Sequence, residues 1–244
     1  MRYFFRVEYD GAAYGGWQHQ RNAPSIQDTL ERAFATALRK ECRVTGAGRT
    51  DAGVHALAQG AHVDVDSAIE TRACELSVNA LLPPDITIYR LQRVGDSFHA
   101  RYSAAARRYR YYMCCRKRPL LFKRVWMVFF DVDWARVGRE ASAIPGEHDF
   151  STFCAAGSGV THARCTVTHA SLDREGDLYV FTIEANRFVY SMVRSLTGTL
   201  VDIGRGRIRE GMAGLIACRD RGRAGQTAPA CGLVLENVFY KGVD

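Results

Sequence analysis

Asp51 stands in the stretch GAGRTDAGVHALAQG, residues 46 to 60, two positions after Arg49 and among glycines and alanines. A carboxylate so close to a guanidinium, on a backbone with little side-chain bulk, suits a nucleophile or base that must meet a bulky substrate. The small neighbours leave room, and the arginine can hold an anion or a base. The same residues allow a plainer reading, in which Asp51 caps a turn, the common work of aspartate beside glycine. Both readings place it on a loop between strands.

Other motifs fail. Gly46 and Gly48 begin a GxGxxG pattern, but Asp51 occupies the place of the third glycine. Gly206 and Gly211 have the gap of a phosphate loop, yet Met212 and Ala213 follow where Lys and Ser or Thr are needed. No serine sits in a G-x-S-x-G elbow. Kinase-type and nucleotide-hydrolysing chemistry therefore have little left to stand on. His162 and Cys165 are close, but no second pair completes a tetrahedral zinc site, so no metal is expected.

The elements that must carry these residues follow from the hydrophobic period. RYFFRVEYDG alternates, with Phe5, Val7 and Tyr9 on one face and Arg6, Glu8 and Asp10 on the other, which predicts a half-buried strand ending in a turn. SIQDTLERAFATALRKE predicts a helix. Ser25 is its N-cap, Asp28 completes a variant of the capping box, and Leu30, Phe34 and Leu38 form one stripe. GAHVDVD alternates again, and DITIYRL follows LLPP, whose prolines forbid helix continuation.

The second half repeats this grammar. RRYRYYMCC alternates, with Tyr109, Tyr111 and Met113 on one face, and LYVFTIEA is a further strand. NRFVYSMVRSLTGTLVDIG predicts a helix whose apolar arc holds Phe188, Val189, Met192, Val193, Leu196 and Leu200. Arg187, Ser191, Arg194 and Gly198 share its opposite side. GLVLENVFY closes as a strand. The pattern predicts an α+β chain of two similar-sized halves, 1–103 and 104–244.

Composition bounds the partners. The net charge is +7 with pI near 9.1, and lysine occurs only at 40, 117, 123 and 241, so arginine carries most of the positive charge. Its planar fork grips phosphate and stacks on bases, although a GC-rich genome raises arginine everywhere. No apolar run is long enough to span a bilayer, so a soluble chain without membrane contact is expected. MRYFFRVEYDG lacks an apolar core with a cleavage site, so no signal peptide is expected. Eight scattered cysteines without a CxxC pair fit buried cytosolic thiols, and hence a cytoplasmic protein.

The string GRTDAGVHALAQ resembles the signature of the tRNA pseudouridine synthase A family, and it does not come alone. YDGAAYGGWQHQ, SIQDTLERA, NALLPPDI, FHARYSAAARRYRYY, GEHDFSTF, ANRFVYSMVR and TAPACGLVLENVFY resemble that family's other segments, in order and at fitting spacing. The likeness covers nearly the whole chain. It implies two α+β halves, each an antiparallel sheet flanked by helices, joined at a central active-site cleft. It also implies a homodimer acting on uridines 38, 39 and 40 of the tRNA anticodon arm.

The same resemblance implies roles. Asp51 matches the essential catalytic carboxylate of an isomerisation in which the C1′–N1 bond breaks, the base rotates and C5 bonds to C1′. Nothing is oxidised or hydrolysed, so no cofactor is implied. A single carboxylate can attack as a nucleophile or take the 2′ proton to give a glycal. Arg49 matches the arginine that displaces the target base, Tyr109 the tyrosine that stacks on the uracil, and Arg194 the arginine expected to pair with the catalytic aspartate. Cys231 and Arg187 depart from the pattern, in places where small residues are usual. The rival readings are a tRNA-binding module without activity, a glycosidase-like hydrolase, which would want two carboxylates, and an RNA chaperone.

Overall fold

The computed structural model describes residues 1–20, 22–155 and 162–243. The chain forms two units, Met1–Ala105 together with Val234–Asp244, and Ala106–Leu233. The α+β class expected from the pattern is the class observed. One difference is topological. The C-terminal strand, expected to complete the second half, lies in the first unit.

In the first unit, β1 (Arg2–Tyr9) leads to α1 (Ile26–Leu38), β2 (Val44–Gly46), β3 (His55–Asp64), α2 (Thr71–Leu81) and β4 (Ile86–Val94). β1 lies between β3 and β4 and is antiparallel to both, with Tyr3 opposite Val63 and Arg93. As a central strand it is buried on both faces from Tyr3 to Val7, which corrects the expected polar face at Arg6, while Glu8 stays exposed as expected. Arg6 is buried, donates to the Val238 carbonyl at 2.6 Å and lies over the rings of Phe4 and Tyr240.

α1 begins as its sequence dictates. The Ser25 hydroxyl accepts from the Asp28 N–H at 3.1 Å and donates to the Asp28 carboxylate at 2.7 Å. Ile26, Leu30, Ala33 and Phe34 then face the sheet, where Phe34 meets Phe5 at 5.1 Å between ring centroids. Full burial of each of the larger side chains is worth about 1.5–3 kcal/mol. α2 was not legible from period, because it buries only Cys74 and Val78, one residue per turn.

The second unit contains β5 (Ala104–Cys114), β6 (Trp126–Met127), α3 (Trp134–Ala141), β7 (Gly146–Asp149), β8 (Arg164–Glu175), β9 (Leu178–Ala185), α4 (Met192–Gly204) and α5 (Met212–Cys218). Its sheet runs β5-β9-β8-β7 with antiparallel neighbours, and β6 adds a short parallel pair to β5. α4 starts at Met192, not at residue 186, because Ser191 has φ 57° and the left-handed backbone cannot continue a helix N-terminally. Phe188 and Val189 therefore precede it. α4 is buried nearly all round, so the side carrying Gly198 is not a solvent face.

β10 (Leu233–Tyr240) returns to the first unit and runs parallel to β3, with Val234 opposite His55. That pair departs from the purely antiparallel expectation. The Tyr240 hydroxyl donates to the Ala100 carbonyl at 2.7 Å, and its ring fills the space above Gly60, where an added Cβ would lie 2.2 Å from the hydroxyl oxygen. No helix among the described residues is long and apolar enough to cross a membrane.

Candidate active site

Asp51 lies on the connection between β2 and β3, as the loop reading expected. The carbonyl of Asp51 accepts from the Val54 N–H at 3.2 Å, closing a turn in which Gly53 has φ +77°, a conformation that favours glycine. This turn is closed by the backbone of Asp51. Arg49 is exposed beside it, and a Cβ on Gly48 would meet nothing within 4 Å. The loop thus carries a partly exposed carboxylate residue and an exposed guanidinium residue, with open space at Gly48.

What fixes the loop is the segment after β1. Trp17 N–H donates to the Thr50 carbonyl at 3.1 Å and Gly53 N–H donates to the Tyr14 carbonyl at 3.3 Å. The hydroxyls of Tyr9 and Thr50 are 2.9 Å apart in a buried hydrogen bond. The β1–β3 register slips between Val7 and Tyr9, and this bulge precedes the tyrosine that reaches the loop. Beneath the other end, buried Gln59 donates to the Gly48 carbonyl at 2.9 Å.

The contacts are so close that side chains are excluded. A Cβ on Gly11 would lie 1.9 Å from the Val54 carbonyl oxygen, and one on Gly16 would lie 2.5 Å from that of Thr50. Gly16 also has φ +105°. A Cβ on Gly46 would enter the Trp17 ring at 2.5 Å. Asp10 joins this clamp, its carboxylate 3.0 Å from Nδ1 of buried His55 and 3.0 Å from the Ala12 N–H. Sequence reasoning missed these residues as a group. Their signal was the density of glycine and aromatic residues in YDGAAYGGW.

The other two predicted residues belong to the second unit. Tyr109 lies half-buried on β5, opposite Ile183 of β9, with its ring edge-to-face with Phe188 at 5.1 Å. Tyr111, on the same strand face, is fully buried, and its hydroxyl donates to the Pro229 carbonyl at 2.6 Å. Burial pushes that phenol well above its ordinary range. Tyr111 is thus a core tyrosine and Tyr109 the more accessible one.

Arg194, in the first turn of α4, is tied to the strap of residues 225–228 near the end of the unit. Its Nε donates to the Ala228 carbonyl at 2.8 Å, and the Ala228 N–H donates to its carbonyl at 3.0 Å. The strap lies so close to α4 that a Cβ on Gly198 would meet the Gln226 carbonyl oxygen at 1.8 Å. Of the four predicted residues, the structure brings Arg49 and Asp51 together on one loop, and each of Tyr109 and Arg194 sits in a defined setting within the second unit.

The two departures from the family pattern have local partners. Burial raises the Cys231 thiol, whose Sγ lies 3.6 Å from the Val125 carbonyl. Arg187 approaches the His162 ring at 3.2 Å.

The sequence matches the family model described as tRNA pseudouridine synthase over residues 6–103 and 141–241. A tRNA pseudouridine synthase A of Acetivibrio thermocellus is 43% identical over 237 residues, covering 96% of this chain and 97% of the relative. That of Bacteroides thetaiotaomicron is 40% identical over 244 residues, covering 98% and 91%. That of Aeromonas hydrophila is 41% identical over 243 residues, covering 98% and 90%.

Proposed function

The chain belongs to the tRNA pseudouridine synthase family, whose members isomerise uridine in tRNA, and we propose that its targets are uridines 38, 39 and 40 of the anticodon arm. Asp51 is the catalytic carboxylate of this reading, and Arg49, Tyr109 and Arg194 bind substrate. The observation that supports it most is the loop of residues 46–54. It holds Asp51 by its backbone against a clamp of glycines, and it leaves Gly48 open and Arg49 exposed.

The chemistry follows from what such a loop can do. A uridine in a stem must leave the stack to reach a carboxylate, at a cost of a few kcal/mol. An exposed guanidinium beside the carboxylate offsets that cost by taking the vacated place and by stacking on bases. Asp51 then acts on the sugar or base as a nucleophile, or removes the 2′ proton. The Tyr109 ring, held edge-on by Phe188, offers a face to the uracil. Once the C1′–N1 bond has broken and the base has rotated, C5 bonds to C1′, the C5 proton is lost and N1 takes one up. No electron leaves the substrate, so the reading calls for no cofactor.

Homodimerisation and a cytoplasmic location complete the proposal. No disulfide joins the cysteines, which fits a reducing compartment where tRNA is processed.

The test is carbodiimide mapping of pseudouridine in unmodified tRNA incubated with wild type and with Asp51→Ala. Signals at 38 to 40 that vanish with the variant, while tRNA binding persists, are expected. A wild type that binds tRNA without producing any signal would make the chain a binding module without activity. Signal that survives in the variant would remove Asp51 from the centre of the reaction.

A further inference from the structure

The sequence contains one stretch that neither the fold nor the proposed reaction uses, CRKRPLLFKR at residues 115–124. It holds five cations and no acid, including two of the chain's four lysines, Lys117 and Lys123. Its apolar residues are not buried as such residues ordinarily are. Leu120 is 88% exposed and Phe122 is 66% exposed.

The stretch is nonetheless held in shape. Its base is closed where β5 and β6 pair, with Met113 opposite Trp126 and the Val128 N–H donating to the Cys114 carbonyl at 2.8 Å. Consecutive turns run through it, from Leu121 N–H to the Arg118 carbonyl at 3.0 Å, Phe122 to Pro119 at 3.1 Å and Arg124 to Leu121 at 2.9 Å. Arg116 and Arg118 both bind the carboxylate of Asp177, in the turn between β8 and β9. The Lys123 ammonium lies 5.9 Å from the Phe122 ring centroid. The result is a preformed tip with an aromatic ring and an aliphatic side chain on a cationic frame.

We propose that this tip is a second tRNA contact, in which the cations bind phosphates and Phe122 stacks on an unpaired base. The inference rests on the reading of the chain as a tRNA enzyme. Stacking on a protein aromatic flanked by cations is how single-stranded nucleic acid is commonly gripped, and it is tolerant of sequence. A tip already ordered by turns has little conformational freedom to lose on binding.

A second copy of the chain fits this surface poorly. A two-fold contact would set the same cations against themselves. Two apolar side chains also fall far short of the roughly 800 Å² per partner that a stable interface needs.

The test measures binding of unmodified tRNA by full-length wild type, Phe122→Ala and the double variant Lys117→Gln/Lys123→Gln, across a salt series. Phe122→Ala is expected to weaken binding about 5- to 100-fold. The double variant is expected to lower the slope of log affinity against log salt by about 1.4 to 1.8. All three positions are exposed, so urea midpoints should match the wild type. If wild type binds tRNA and both variants bind within twofold of it, the tip is no tRNA contact while the enzyme reading stands. If wild type itself fails to bind, the functional reading falls and this inference with it. If Phe122→Ala instead halves the sedimenting mass, the tip joins copies of the chain and the proposal is overturned.

Discussion

Two loops of this molecule present arginine from a small-residue or turn-rich backbone, and they are held in opposite ways. Residues 46–54 are fixed by contacts so close, with backbone at Gly11 and Gly16 and with the Trp17 ring at Gly46, that these glycines leave no room for a side chain. Residues 115–124 are fixed by local turns and by the partly exposed carboxylate of Asp177. Buried close contact over-determines a conformation, because any shift must move packed backbone. Partly exposed ion pairs contribute little to stability and are screened by salt. The difference matches the tasks proposed for them. A reacting carboxylate loses much of its rate when misplaced by an ångström, whereas a phosphate contact tolerates movement.

The comparison breaks most sharply at Gly16. Gly16→Ala combines a left-handed φ of +105° with a Cβ 2.5 Å from the Thr50 carbonyl oxygen and 3.0 Å from the Asp51 carbonyl carbon. Strain and overpacking together should cost roughly 2–4 kcal/mol of stability. The turnover rate should fall by about tenfold or more, since the displaced atoms belong to the loop proposed to carry the catalytic carboxylate. Gly48→Ala on the same loop adds a carbon with no neighbour within 4 Å, and its stability should stay within about 0.5 kcal/mol of wild type. Urea unfolding and single-turnover kinetics on both variants decide the matter. A Gly16→Ala protein with wild-type stability and rate would show that the clamp does not hold the loop.

Acid separates the two loops in another way. His62 on β3 is buried, and its Nδ1 accepts from the Ala100 N–H at 3.2 Å. Burial, together with the charges of Arg2 and His99, lowers its pKa to about 4, while Asp64 acts in the opposite direction. An unfolded chain takes that proton near pH 6.5. Between those values the unfolded state binds more protons, so stability that is full above pH 6.5 is lost as pH falls toward 4. The loss is at most about 3 kcal/mol. Urea midpoints at pH 7.5 and pH 5 should therefore differ for wild type, and differ less for His62→Gln. Equal pH dependence in the two proteins would remove His62 as the cause. The Asp177 carboxyl, held below its usual range first by its hydrogen bond to Arg118 and then by Arg116, keeps its tether through the same window.

The sequence made some of this legible and hid the rest for physical reasons. The α+β grammar, the Ser25 cap and the Asp51 loop are local patterns, written in neighbouring residues. Alternation places Arg6 on a polar face, because it cannot tell an edge strand from a central one buried on both faces at that point. Apolar spacing starts α4 too early, because it continues through Phe188 and Val189 while the left-handed Ser191 interrupts the backbone. β10 pairs with β3 across 179 positions of sequence, from His55 to Val234, a register that no local window contains. At the site, Asp51 and Arg49 were readable from their string. The clamp of Gly11, Gly16 and Trp17 depends on distances between segments, and glycine in a sequence says only that closeness is permitted.

The smallest effect is expected at Asp177, and it tests the other side of the comparison. Asp177→Asn removes the acceptor charge for Arg116 and Arg118 and keeps the side-chain volume. Because the carboxylate is partly exposed, no measurable shift in the urea midpoint is expected. Two arginines released from an acid, however, raise the positive charge available to phosphate at the tip. If the tip binds tRNA, affinity at low salt should therefore rise slightly, and the gain should disappear as salt screens it. A marked loss of stability would mean that residues 115–124 are held as tightly as residues 46–54. Weakened binding at low salt would mean that Asp177 acts by aiming Arg116 and Arg118, so that the order of the tip outweighs its charge.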